Sequence, residues 1–328
     1  MEVFKETVSV LEGKCLIYSM RNNNNQDTSR FAACAFSDEI FRIVERNPRG
    51  CVHSIFNNSF NLVFGEHLVH VGAVENGLSP FGIGLNQHDV RQLTLQLRSN
   101  QDVAWDLSSN TLFFSDRTSL SFETAEMTNH TLHGCVSERQ HVKENFLFIA
   151  ERLLQEEWRT GLAETTEDKV AIVKYMVEPA PYQKELLTLH QLDSLKKLAN
   201  GNKAVEAENV FNYWIGRGLG LTPSGDDVIT GICAVFSAME GTNKAFQQQL
   251  KRYLLENGRK RTTQIALEYL LYATENKFHS HLIQLCTVLD KPRSPEFSIA
   301  LEEMRKIGHT SGADTIIGIL LGIKASIK

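Results

Sequence analysis

Gly216-Arg217-Gly218-Leu219-Gly220-Leu221-Thr222-Pro223-Ser224-Gly225-Asp226-Asp227-Val228-Ile229-Thr230-Gly231 is the stretch from which the rest of the chain is read. Gly216, Gly218 and Gly220 alternate, so this backbone can take positive φ and approach another group closely. Thr222-Pro223-Ser224-Gly225-Asp226-Asp227 then reads as a helix start, with Thr222 before a proline, or Ser224 with Asp227 three residues on, supplying the cap. Val228, Ile232, Val235, Phe236 and Met239 continue at helical spacing, and Gly231, Ala234 and Ala238 form a stripe of small residues. A glycine loop feeding a buried helix can present backbone amides and a helix dipole to a ligand. The plainer reading is a tight, capped entry into a core helix.

A second copy strengthens the ligand reading. Ser224-Gly225-x-Asp227-x-x-x-Gly231-Ile232 aligns without a gap on Ser311-Gly312-x-Asp314-x-x-x-Gly318-Ile319, at a constant offset of 87 residues. The repeat predicts two buried helices, capped by Ser224 and Ser311, whose starts face one cleft. Asp226 and Asp227 are adjacent, so on a helix they point about 100° apart. The dipole is expected to keep both ionised. Ionised carboxylates repel phosphate unless a cation such as Mg²⁺ stands between them, so the cleft suits a metal–phosphate or a cationic or amide group.

Working outward, short β-leaning runs fill the first third: 14–20, 51–56, 60–64, 67–71, 81–85, 111–114 and 120–122, with a helix near 36–46. From His141 the spacing becomes helical and stays so, through 141–158, 169–177, 182–198, 205–215, 228–239, 245–256, 263–273, 281–289, 299–306 and 315–327. Pro179 and Pro181 break the run between two of these. Strands first and helices after predict an α+β chain, with a β-rich barrel or sandwich over 1–135 and an all-helical domain over 136–328. The basic run Arg259-Lys260-Arg261, with Thr262 and Thr263, is read as a loop before a helix, suited to an oxyanion.

Composition is that of an ordinary globular protein of 328 residues, with 42% hydrophobic and 22% charged residues. A net charge of −5 leaves no electrostatic footprint for nucleic acid or an anionic membrane. No apolar run is long enough to span a bilayer, and the N-terminus does not read as a signal peptide. Six cysteines without a Cys-x-x-Cys pair fit reduced thiols in a cytoplasm. His279 and His281 are spaced wrongly to share a helix face, and His130 with His133 lacks a third partner, so no zinc site is expected. There is no Walker loop and no Gly-x-Ser-x-Gly elbow.

The run 218–227 resembles the signature of the oxamate carbamoyltransferase subunit AllH family. Arg261-Thr262-Thr263, His309-Thr310-Ser311-Gly312-Ala313-Asp314 and Val52-His53-Ser54-Ile55-Phe56-Asn57-Asn58-Ser59-Phe60-Asn61-Leu62 are also similar to it, more loosely. The resemblance runs from about residue 50 to the end. It implies a part in anaerobic allantoin use, in which oxalurate and phosphate become oxamate and carbamoyl phosphate on an enzyme of several subunits. The Ser-Thr-Arg-Thr-Arg loop of aspartate and ornithine carbamoyltransferases is missing, so the chemistry would have a distinct solution here. The implied catalytic candidates are Asp226, Asp227, His309 and Asp314, with Gly218, Gly220, Thr222, Ser224, Gly225, Arg261, Thr262, Thr263, Ser311 and Gly312 on the substrate. Carbamoyl phosphate, oxamate or a related ureide is the implied ligand, other subunits the partners, and Mg²⁺ a compatible ion without a dedicated metal site. Two rivals stay open: a non-catalytic metabolite-binding or scaffolding subunit, and a stand-alone metal-dependent hydrolase.

Overall fold

The structure, a computed structural model, describes residues 28–136, 139–178 and 186–326. The expected strand at 14–20, the two prolines at 179 and 181 and the start of the 182–198 helix lie outside them.

The first part is a strongly curled sheet of ten strands: β1 (Ser29–Ala32), β2 (Ala35–Ser37), β3 (Arg49–Phe56), β4 (Ser59–Phe64), β5 (His67–Ala73), β6 (Gly82–Leu85), β7 (Asp102–Asp106), β8 (Thr111–Phe113), β9 (Thr118–Ser121) and β10 (Glu126–Thr128). Their order is β1-β9-β8-β7-β3-β4-β5-β6-β2-β10. The sheet curls so that its first strand in that order, β1, comes near its last but one, β2, the two being parted along the chain only by Ala33 and Cys34. Ala33 N–H donates to Ser121 O at 2.9 Å, and Cys34 N–H to Gly84 O at 2.8 Å. The expected barrel-or-sandwich half is therefore barrel-like. Phe60, Leu62, Phe64, Val69 and Val71 alternate into its core. That core also takes Ile40, Ile43 and Val44 of α1 (Glu39–Arg46) and Val90 and Leu93 of α2 (Gln87–Thr94).

After Thr128 the described residues hold helices and two isolated β-bridges. The helices are α3 (Arg139–Gln155), α4 (Thr166–Val177), α5 (Leu187–Ala199), α6 (Ala207–Trp214), α7 (Ser224–Ala238), α8 (Lys244–Arg261), α9 (Gln264–Thr274), α10 (Ser280–Val288), α11 (Pro295–Arg305) and α12 (Ser311–Ser326). Helices α7 and α12, the two copies of the repeat, are buried almost throughout and cross at the centre, with α3, α4, α5 and α11 around α12 and α6, α9 and α10 around α7. The order of strands and helices makes the chain α+β.

One reading of the sequence needs correction. Helix α8 does not stop near residue 256 but continues through Gly258 to Arg261. A Cβ at Gly258 would stand 2.5 Å from Leu267 Cδ1, so the glycine spares that side chain a shift. Arg259, Lys260 and Arg261 thus occupy the last helical turn, where the dipole favours positive charge.

The two halves meet where β4 and β5 turn their second face to the helices. Leu68, Phe81 and Tyr272 form a small apolar cluster there. Lys277 Nζ reaches Glu39 Oε1 at 2.7 Å, and Leu78 exchanges two hydrogen bonds with Ser280.

Candidate functional site

Gly216, Gly218 and Gly220 all have positive φ, at 76°, 121° and 97°. The loop they shape is clipped from behind. Asp226 Oδ1 accepts the Gly216 N–H at 2.9 Å, and Oδ2 accepts the Thr262 hydroxyl. Thr263 donates its hydroxyl to Leu221 O and caps α9 through Ala266 N–H at 3.0 Å. Arg261 donates to Asn212 O. Arg261, Thr262 and Thr263 therefore brace the loop and stand outside the cavity described next, so the structure does not gather them into an anion cradle there.

That cavity, about 410 Å³, lies between the starts of α7 and α12 and the outer face of the barrel. The two starts touch, with the Thr222 and Ser311 hydroxyls 2.8 Å apart. Gly220 and Thr222 line it from one start and His309, Thr310 and Ser311 from the other. His309 sits exposed at the rim, its Nε2 3.3 Å from an Arg159 nitrogen.

Asp227 also lines the cavity, and its buried Oδ2 has no hydrogen-bond partner. Burial first, and then the negative charge of Asp314, raise its carboxyl well above the usual range, against a bond from Ser311. Asp314 is raised by burial too, but it is well supplied with donors: the Thr160 hydroxyl, Ser224, the Gly161 N–H (3.2 Å to each oxygen) and Thr310. Asp226 is pushed up to about 6 by burial, despite its bonds from Thr262 and Gly216. At Asp227 burial thus works against the ionisation expected from the dipole. A helix start stabilises a charge by roughly 1 kcal/mol, whereas full burial moves a carboxyl by several pKa units of about 1.4 kcal/mol each.

The two serines are not the caps expected of them. Ser224 is the first helical residue and Pro223, which has no side-chain acceptor, holds the cap position. Ser311 likewise opens α12. Each hydroxyl instead crosses to the other copy, Ser224 bonding Asp314 and Ser311 bonding Asp227. Gly225 and Gly312 permit this docking: a Cβ on either would stand about 2 Å from the carbonyl oxygen of Trp214 or Met304. Gly218 does the same beside the Ser224 amide, 2.7 Å from a Cβ built there.

The barrel supplies residues that the sequence reading missed. Asn61 and His70 line the cavity with Lys277, His279 and Tyr269. Burial lowers His70 to about 4. It also lowers His279 well below the usual value, helped by the neighbouring His281, His130 and His70. His279 and His281 are spaced wrongly to share a helix face, yet their ring centroids are 5.1 Å apart, because His279 is the cap of α10 and lies outside the helix. A cavity holding a carboxyl that burial makes reluctant to ionise and imidazoles that burial makes reluctant to protonate offers hydrogen-bond donors and acceptors with little net charge. Among the described residues no three His, Cys, Asp or Glu side chains are grouped to hold a metal ion, and no helix is long and apolar enough to cross a membrane.

Comparison with known families gives two matches. Residues 32–127, from β1 to within β10, match the AllH family N-terminal domain. Residues 214–323, which contain both copies of the repeat, match the oxamate carbamoyltransferase subunit AllH. No solved structure matches the chain. With both halves of its fold covered by models of one family, the chain belongs to the AllH family of oxamate carbamoyltransferase subunits.

Proposed function

We propose that this chain carries a carbamoyl-transfer site of oxamate carbamoyltransferase and works with partner subunits on oxalurate and phosphate, giving oxamate and carbamoyl phosphate. The observation that carries the reading is Asp227, a buried carboxyl with an unpartnered oxygen at a cavity where two helix starts meet. Attack on a carbamoyl carbon develops negative charge on its oxygen, which needs a donor already in place. A protonated Asp227 is such a donor. The Thr222 and Ser311 hydroxyls and the amides at the two helix starts supply further polar groups for the phosphate. Asp314 holds Ser224 and the 160–161 loop in position, and Asp226 holds the glycine loop. The reading places the protein in the cytoplasm, in keeping with free thiols at Cys34, Cys51, Cys135, Cys233 and Cys286.

The test is Asp227→Leu, a side chain of similar size that cannot donate, in the enzyme reassembled with its partner subunits. Loss of a positioned donor lowers turnover by a factor of about 10² to 10³, while the melting temperature holds or rises because a buried ionisable group is gone. Full turnover by the variant would remove Asp227 from the chemistry. Binding of carbamoyl phosphate or oxamate without turnover in any reassembled mixture would favour the non-catalytic reading.

A further inference from the structure

The 52–62 segment belongs to neither helix start, yet it delivers polar groups to the same cavity. Strands β3, β4 and β5 place Ser54, Asn61 and His70 in one cross-strand row, with Ser54 opposite Asn61 and Asn61 opposite His70. A register shift in β3 between Val52 and Ser54 aims Ser54 into this row. All three would be unremarkable on a solvated sheet face. Here Asn61 is only 2% exposed, and a buried amide must spend its groups on specific partners.

Those partners fix the chemistry of the ring. Asn61 donates its side-chain amide to Ser54 Oγ at 3.0 Å, which leaves its Oδ1 facing His70 Nδ1 at 2.9 Å. The carbonyl oxygen can only accept, so Nδ1 carries the proton and Nε2 carries the lone pair. Gly72, two residues along the strand, leaves the space this ring needs: a Cβ there would stand 2.9 Å from Nε2. His70 and Asn61 line the cavity from the barrel side and Asp227 from the helical side.

We infer that His70 is the proton-carrying residue of this cavity and that Asn61 is the positioning residue that fixes its tautomer. The inference rests on the carbamoyl-transfer reading. In that reaction a phosphate oxygen bonds to the carbamoyl carbon, and the carbon–nitrogen bond breaks with its electron pair going to nitrogen. The single proton of hydrogen phosphate ends on that nitrogen, giving the amide of oxamate, and nothing is oxidised or reduced. Nε2 takes the proton from phosphate and returns it to the departing nitrogen. Burial keeps the ring neutral beforehand, and a dianion brought beside it raises its affinity for the proton. The barrel thus supplies the proton carrier, and the helical repeat supplies the donor to the oxyanion.

Two measurements test this. In the full chain labelled with ¹⁵N-histidine, long-range ¹H–¹⁵N spectra at pH 7 should show His70 as the Nδ1–H tautomer. Carbamoyl phosphate, or oxamate with inorganic phosphate, should shift its ring signals. The Nε2–H tautomer, or unmoved signals at ligand saturation, overturns the inference. In the reassembled enzyme His70→Gln should lower kcat by about 100-fold or more, with KM for oxalurate little changed, and imidazole should partly restore His70→Ala. Asn61→Leu should lower kcat and mix the tautomers, whereas Asn61→Asp, which keeps the acceptor, should retain both. Normal turnover by His70→Gln overturns the role of His70 alone. An unmodified assembly that makes no carbamoyl phosphate from oxalurate overturns the reading beneath it.

Discussion

Gly231 and Gly318 are the paired points at which α7 and α12 touch backbone to backbone. A Cβ on Gly231 would stand 2.1 Å from Thr315 O, and one on Gly318 would stand 2.1 Å from Val228 O. Val228 and Thr315 are themselves equivalent positions of the repeat, so the contact is reciprocal. The 87-residue repeat is thereby a local two-fold relationship, and it is this crossing that sets the two helix starts side by side.

Gly231→Ala and Gly318→Ala should each destabilise the protein by about 3 kcal/mol, the upper end of the usual cost of overpacking. Gly241→Ala is the control: its φ is 75° but a Cβ there would meet nothing within 4 Å, so only the backbone penalty of about 1 kcal/mol applies. Urea unfolding of the three variants checks the order. Equal losses at Gly231 and Gly241 would remove the close contact from the account.

The pH dependence of stability should carry the mark of Asp226. Its folded value, about 6, lies above the ordinary aspartate value of 3.8. Its contribution is therefore fully present below about pH 4 and is lost as pH rises through 6. The loss is on the order of 3 kcal/mol at about 1.4 kcal/mol per pKa unit. Asp226→Asn cannot ionise and keeps an acceptor for Gly216 N–H. Its stability relative to the parent should climb between pH 4 and 6.5 and then level off. A difference independent of pH, measured by thermal melts across that range, would contradict the buried, reluctant carboxyl.

The hydroxyl pair joining the two helix starts should show as coupling. Thr222→Val and Ser311→Ala are each expected to cost about 1 kcal/mol, and the double variant less than their sum by a similar amount. Strict additivity in a double-mutant cycle would mean that the 2.8 Å contact does not hold the starts together.

Between the halves, Lys277 and Glu39 are 13% and 9% exposed at their side chains. Lys277→Met leaves Glu39 with only the Arg42 contact at 3.1 Å. It should cost about 3 kcal/mol, most of it recovered when Glu39→Gln is added. Calorimetry on the single and double variants decides. A single variant as stable as the parent would show that the tie contributes little.

What the sequence disclosed tracks where the physics is local. Phe60, Leu62 and Phe64 alternate, and Val228, Ile232 and Val235 recur at helical spacing, so those strands and helices are legible. Strands β1, β2, β7 and β10 were not, because segments such as Ser29–Ala32 and Glu126–Thr128 owe their shape to a distant pairing partner. Helix α2 offers only Val90 and Leu93 as apolar anchors and was missed for that reason. At the site, the repeat revealed both helix starts. The divergent orientations of Asp226 and Asp227, about 100° apart on a helix, also followed from their adjacency, and Asp226 indeed turns to the loop and Asp227 to the cavity. Their raised affinity for a proton did not follow, since burial at the meeting of two halves is invisible in a local window. Nor did the Asn61–His70 contact, which needs the register of neighbouring strands. The two residues stand as polar exceptions in otherwise apolar strands, and that was the available signal.

The central place of α12 bears on how the protein is made. Synthesis delivers the chain from its N-terminus, so α7 emerges long before the helix that covers its glycine face. Until residues 311–326 have left the ribosome, the helical half holds an apolar slot open at its middle. The barrel has a milder version of the same delay, since Ser29 waits for Thr118 before β1 can join the sheet. Both halves are therefore completed late, by contacts between residues far apart in sequence, the kind that make folding slow. A nascent or truncated chain lacking α12 would expose the very surface on which the two starts are assembled, and would be a natural client for a chaperone.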